Sequence, residues 1–188
     1  MYTLVTILTI LSSFFANLET KTLQSDFTIT VAEEVNAPMN FPGTIVMHAD
    51  KFRLEMFGLE AAFDGKTMYM YSAETDELTI TNPTEQELLE ANPFRYAKAL
   101  VDVCNITEKA SQDGKQTIIT LTPKDQTIGI NRFTLRVRNA DLVPLQVDIK
   151  EGKKTTTLKL TNPAFVTTPQ AYVLTPPDKD TYVNDMRF

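Results

Sequence analysis

The sequence predicts a mainly β protein with helices, an α+β fold of ten or eleven antiparallel strands. Short runs such as Phe27–Val31, Phe52–Met56 and Phe133–Val137 alternate apolar and polar residues. That period of two is what a strand needs when one face is dry and the other wet. The runs recur about every ten residues, the rhythm of antiparallel meanders. Reactive side chains are scarce as well: the 188 residues include one His, one Cys and no Trp. A chain with much sheet and little chemistry is suited to holding a ligand rather than transforming one.

The elements follow in order. Leu4, Ile7, Leu8, Leu11, Phe14, Phe15 and Leu18 keep the spacing of one helix face, with Thr, Ser and Asn opposite. This predicts an amphipathic helix over residues 4–18 that packs on the sheet. The alternative, a retained signal segment, has no Lys or Arg before it and no Ala-x-Ala site after it. Strands are predicted at 25–34, 44–48 and 51–57, with a loop at Asn36–Pro38 and a turn at Ala49-Asp50. Ala61–Phe63 leads into Asp64-Gly65, a hairpin signal because Gly tolerates positive φ. Strands follow at 67–72 and 77–81.

Then the pattern changes to helical. Pro83–Asn92 is rich in Glu, Gln and Leu, and Thr84 with Glu87 three residues on forms a capping-box signature. Pro93–Val103 places Phe94, Ala97, Leu100 and Val101 at helical spacing. Strands resume at 117–122, 130–138, 144–150, 155–161 and 171–175, with turns at Asp113-Gly114 and Glu151-Gly152. No repeat or low-complexity linker divides the chain, so a single domain over residues 1–188 is expected. A sheet of this many strands must curl. It then offers a concave wall that the inserted helices can plug.

Composition narrows the function. A net charge of -6 without any basic run argues against nucleic acid. Cys104 has no partner for a disulfide or a metal site. His48 ends a strand, where sequence neighbours do not orient each other as base and nucleophile. Asp64, Asp76 and Asp113 sit in turn contexts, where Asp bonds its own backbone. No Gly-rich phosphate loop and no Trp platform for a sugar are present. No catalytic residue, metal or cofactor is therefore expected. Seven Met and eleven Phe stand out instead. Met68 and Met70 share one strand face, and Phe52, Leu54 and Met56 another. Flexible apolar side chains of this kind suit either a packed core or a cavity for a floppy apolar ligand.

The stretch Gly43–Phe57 followed by Phe63-Asp64-Gly65-Lys66-Thr67-Met68-Tyr69-Met70-Tyr71 resembles the outer-membrane lipoprotein carrier protein LolA, whose "kFr.e" strand leads to a "DGk.l..Y" hairpin. Asp26–Val31 matches that family's first strand. Asn92-Pro93-Phe94 matches the start of its inserted helix, and Tyr172–Pro177 with Val183-Asn184-Asp185 matches its ending. The similarity runs from about Leu11 to Arg187. The resemblance implies an unclosed half-barrel with a helical lid that carries lipoprotein acyl chains across the periplasm. It further implies two partners, an inner-membrane lipoprotein-releasing ABC transporter and an outer-membrane lipoprotein receptor. A monomer acting without enzymatic turnover is expected.

On this reading Phe27, Ile29, Val46, Phe52, Leu54, Met56, Met68 and Met70 line the wall, and Leu88, Leu89, Phe94 and Leu100 line the lid. The family's signal peptide is expected to be missing from this chain, with residues 4–18 part of the mature fold. Best-known members latch the lid with an Arg just before the "kF" strand; here that position is His48, which is expected to hold the lid more weakly. The alternative function is a related half-barrel serving as the outer-membrane receptor or as a lipid-sensing periplasmic domain. A receptor would carry a lipobox Cys near its start, whereas Cys104 is in mid-chain. A hydrolase would need a legible site.

Overall fold

A computed structural model describes residues 3–34, 36–167 and 170–187, with the side chains of residues 3–9 and 126 outside the description. Helix α1 spans Thr3–Thr20. Of its predicted apolar stripe, Leu11, Phe14 and Leu18 are buried, while the side chains of Leu4, Ile7 and Leu8 lie outside the described residues. None of the described helices is long and apolar enough to cross a membrane.

The strands are β1 (Thr22–Ala32), β2 (Met39–His48), β3 (Lys51–Met56), β4 (Leu59–Phe63), β5 (Met68–Ser72) and β6 (Glu77–Thr81). Two short helices follow, α2 (Glu85–Ala91) and α3 (Pro93–Leu100). Then come β7 (Cys104–Ala110), β8 (Gln116–Pro123), β9 (Arg132–Arg138), β10 (Pro144–Glu151), β11 (Lys154–Val166) and β12 (Tyr182–Asp185). These twelve strands form one sheet in the order β12-β6-β5-β4-β3-β2-β1-β11-β10-β9-β8-β7. β7 and β12 are its two edges, so the sheet does not close on itself. This is the predicted open half-barrel.

Four expectations are corrected. The chain leaves α3 at Leu100 and forms β7, a strand that the helical reading of 93–103 and the gap before 117 both pass over. Its burial alternates from Cys104 onward, but Asn105, Thr107 and Lys109 on the wet face and Glu108 on the dry one hide the apolar period. Pro144–Glu151 and Lys154–Val166 are longer than expected, and β2 begins at Met39 rather than Thr44. Residues 171–175 form no strand; the extended segment crosses the outer face, where Leu174 packs with Ala62 and Leu78. Finally, β12 pairs with β6 in parallel, so one pairing departs from the antiparallel rule. Asp76 ties this ending down: its carboxylate accepts from the Thr181 hydroxyl at 3.0 Å and the Tyr71 hydroxyl at 3.1 Å.

The core lies on the concave side. Cross-strand registers bring Ile119, Leu135, Val147, Leu158, Ile29 and Phe41 into one row across six strands. A second row links Met47, Phe52, Phe63 and Met68. Each row is apolar because a period of two sends alternate residues inward on every strand. Gly43 lets the wall close tightly: a Cβ there would meet the Phe27 ring at 2.5 Å and also strike the Glu55 carbonyl oxygen. The missing side chain at Gly43 thus leaves room for the Phe27 ring.

Candidate functional site: an apolar cavity under a two-helix lid

The lid is α2 and α3, joined by one residue. Thr84 caps α2 in the predicted box: Glu87 N donates to Thr84 Oγ1 at 3.3 Å, and Thr84 N donates to Glu87 Oε2 at 2.7 Å. Asn92 ends α2 and starts α3. Its Oδ1 accepts from Phe94 N and Arg95 N, both at 3.0 Å, and its own N–H donates to Leu88 O at 3.0 Å. Pro93 fits the first helical position because its missing N–H has no partner to lose there. Asn92 is only 2% exposed, so its polar groups must be satisfied locally, and those bonds set the angle between the two helices.

The inner face of the lid carries Leu88, Phe94, Ala97 and Leu100, all buried. Phe94 meets Phe14 of α1 edge-on at 5.5 Å between centroids, and Tyr96 meets Phe133 of β9 at 6.2 Å. Beneath the helix junction lies a cavity of about 140 Å³. Its wall is Phe27, Ile29, Ile45, Leu54, Val147, Ile149 and Leu158, and its roof is Ala91 and Pro93. A second cavity of about 270 Å³ adjoins it and shares Glu90, Pro93, Ile149 and Thr156. Gln86, Tyr96 and Glu151 line this outer space, so the apolar inner chamber opens toward a polar rim.

Ion pairs fasten the lid from outside. The Arg95 guanidinium binds Glu85 through two bonds, Nε to Oε1 at 3.0 Å and Nη2 to Oε2 at 2.6 Å. Arg95 Nη1 also reaches Asp50 in the β2–β3 turn at 3.3 Å. Hydrogen bonding to Arg95 holds the Glu85 carboxyl below the usual carboxylate range and raises Arg95 in turn. Lys98 pairs with Glu19 of α1 at 2.8 Å. These contacts are largely exposed, and exposed pairs are individually weak.

The expected residues divide as follows. Phe27, Ile29 and Leu54 line the inner cavity, and Leu88, Phe94 and Leu100 form the underside of the lid. Phe52 and Met68 are buried in the core cluster, outside the cavity lining, while Met56 packs partly buried against that cluster. Leu89 lines the outer space rather than the inner one. Met70 keeps the inward direction but is 47% exposed at the rim.

Val46 and His48 lie on the opposite face of β2 from Ile45 and Met47. Val46 is a one-residue slip in register, and a slip of one turns every side chain to the other face. His48 therefore does not face the lid, and Asp50, two residues further on, makes the lid contact. Ile45, Val147, Ile149 and Leu158 escape the sequence reading as lining residues. Their alternation is visible, but which apolar residues border a void depends on pairings between distant strands.

Glu108 is the exception on this dry side. It stands opposite Ile119 across the β7–β8 pair, and burial pushes its carboxyl up. Its Oε2 is buried with no hydrogen-bond partner among the described residues.

An open half-barrel with a roofed apolar concavity defines the class of fold. The chain belongs to the family of the outer membrane lipoprotein carrier protein LolA, whose family model matches residues 19–174. No curated protein matches it. Among solved structures, an uncharacterized conserved protein from Thermus thermophilus is similar at 15% identity and a TM-score of 0.61, over 93% of this chain and 96% of that one. MucB in the Pseudomonas aeruginosa MucA/MucB complex is similar at 15% identity and a TM-score of 0.52, over 86% of this chain and 58% of that one. The Mycobacterium tuberculosis lipoprotein LppX is similar at 11% identity and a TM-score of 0.50, over 90% of this chain and 99% of that one. At these identities the likeness concerns the fold.

Proposed function

We propose that this protein is a periplasmic carrier that shelters lipoprotein acyl chains in the cavity beneath α2 and α3. The observation that supports the reading most is the mainly apolar wall around Leu54 and Leu158, closed by a lid whose outer fastenings are exposed ion pairs. Each buried CH2 contributes about 0.8 kcal/mol, so a 16-carbon chain bare in water costs about 13 kcal/mol. An apolar concavity offsets that cost without any nucleophile, metal or cofactor.

The inner chamber of about 140 Å³ falls well below the roughly 300–1,000 Å³ of a pocket for a drug-sized ligand. Loading therefore requires the lid to lift and release Leu88, Phe94 and Leu100 from the wall, after which acyl chains take their place. A lid held too firmly would lower the competent fraction and the apparent affinity together. The partners on this reading are an inner-membrane lipoprotein-releasing ABC transporter that supplies cargo and an outer-membrane lipoprotein receptor that accepts it. The carrier works as a monomer.

The test is mass spectrometry of the protein isolated from a bacterial periplasm. Co-purified acylated protein, displaced by a fatty-acid probe, is the expected result. A protein free of acylated material that also takes up no acyl probe would overturn the proposal.

A further inference from the structure

The outer face of β7–β11, opposite the cavity, has a charge character of its own. Cross-strand register places Lys109, Ile118, Arg136, Gln146 and Lys159 in one row over five strands. A neighbouring row holds Thr107, Thr120, Thr134, Asp148 and Thr157, and a third sets Arg132 opposite Lys150. These residues alternate with the buried Ile119, Leu135, Val147 and Leu158, so they stand on the convex side. The whole chain carries a net charge of -6, yet these rows hold five cations and a single anion, Asp148. No basic run announces them in the sequence, because each strand supplies only one or two.

Among the described residues, none of the five cations is paired with a carboxylate. Arg132 and Lys150 stand directly opposite each other across β9 and β10, and like charges so placed cost stability. Arg136 Nε is buried with no hydrogen-bond partner among the described residues, which costs stability again. Asp148 is engaged elsewhere: its carboxylate accepts from Gln146 Nε2 at 2.8 and 2.9 Å and from Thr157 Oγ1 at 2.7 Å. An anion lying across the rows would offset both costs.

We infer that this convex face binds a polyanionic glycan, a sugar chain that bears carboxylate, phosphate or sulfate groups. Charge complementarity argues for an anion, and the spacing argues for this one. Lys109, Arg136 and Lys159 stand on every second strand of their row, so positive charges recur about every 10 Å, twice the strand spacing. That is close to the length of two sugar units in an extended chain. The threonine row alongside offers hydroxyls that can donate to or accept from sugar hydroxyls. A protein partner would seek aromatic anchors at the centre of its contact, and single-stranded nucleic acid a ring on which to stack its bases. The three rows hold no aromatic side chain. Curvature separates the remaining candidate: a flat bilayer touches only the crest of a convex sheet, whereas a flexible chain follows it across all five strands. The inference goes beyond the carrier reading and does not rest on it.

Titration of the full chain with polygalacturonate and with dextran sulfate tests this, with neutral dextran as the control. The wild type binds both polyanions and not neutral dextran, and its affinity falls about ten-fold or more between low and physiological salt as counterions compete. Lys159→Glu changes an exposed side chain, so the variant folds, and it loses roughly ten-fold in affinity through one reversed charge. Arg132→Gln removes the facing pair of cations, so it weakens binding while thermal stability stays equal or rises. Lys179→Gln, on the exposed segment before β12, leaves binding unchanged, and uptake of a fatty-acid probe is the same in all these proteins. No polyanion binding by the wild type, equal binding of neutral dextran, or folded Lys159→Glu and Arg132→Gln variants that bind as wild type would overturn the inference. Preference for polyglutamate, single-stranded DNA or phosphatidylglycerol vesicles over the glycans would assign the face to another class of partner and overturn it too. Glycan binding that depends on Lys159, together with no uptake of the fatty-acid probe, would sink the carrier reading and leave the glycan face standing.

Discussion

Arg95 of the lid reaches Asp50, in the turn between the second and third strands, with Nη1 3.3 Å from Oδ1. The fastening is thus a cation on the lid helix and an anion on the barrel. His48, two residues before Asp50, points to the other face of its strand. The Arg95 side chain is 22% exposed and that of Asp50 58%, so water and salt screen the pair. It can bias the lid without locking it.

On the proposed carrier reading, removing that bias is expected to speed loading. Arg95→Ala and Asp50→Asn are each expected to raise the association rate of a fatty-acid probe by about two- to five-fold, the range set by exposed ion pairs. The double variant adds little beyond either single one, because both remove the same contact. Stopped-flow fluorescence at low salt checks this, and His48→Ala should leave the rate unchanged.

The second expectation concerns register. Val46→Ser changes the outer face and should leave probe affinity within about two-fold, as surface substitutions usually do. Ile45→Ala removes a wall side chain that is 5% exposed. It is expected to weaken binding and to destabilise the fold by about 2–5 kcal/mol. Equilibrium titration and denaturant unfolding of the two variants decide between the faces.

Much of this molecule is legible from period and punctuation. The Thr84–Glu87 box, the Asn92-Pro93 break and the strand at Glu77–Thr81 all follow from local chemistry, which reads along the chain. The cavity does not. Val147, Ile149 and Leu158 border it because β10 and β11 pair far from β2 in sequence, and no local pattern records that pairing. Strand β7 is hidden for a related reason: as an edge strand with a wet face of Asn105, Thr107 and Lys109, it shows little apolar signal. Val46 shows how narrow the margin is, since an apolar residue beside Ile45 lies on the wrong side of the sheet.

A third expectation follows from Glu108. Burial raises its carboxyl in the folded state, so the fold binds a proton more tightly than the unfolded chain does. The contribution of Glu108 to stability is therefore greatest below the ordinary carboxylate range and is lost as pH rises through it toward the raised value. Glu108→Gln should raise the melting temperature by about 1–3 °C at pH 7, with the gain vanishing below about pH 4. Thermal unfolding across pH measures it; a variant less stable than wild type at pH 7 would mean that the ionised carboxylate has a partner in solution.

One titration decides most directly whether the space beneath the lid holds cargo: binding of a fluorescent long-chain fatty acid to the wild type and to Leu54→Glu, with folding followed by circular dichroism. Leu54 is partly buried on the cavity wall, so the variant can fold while placing a charge where the acyl chain lies. Desolvating that charge should weaken binding by about ten-fold or more, with secondary structure intact. Saturable binding by the wild type and its loss in the folded variant is the expected result. Equal affinity in the two proteins would show that acyl chains do not occupy the space beneath α2 and α3.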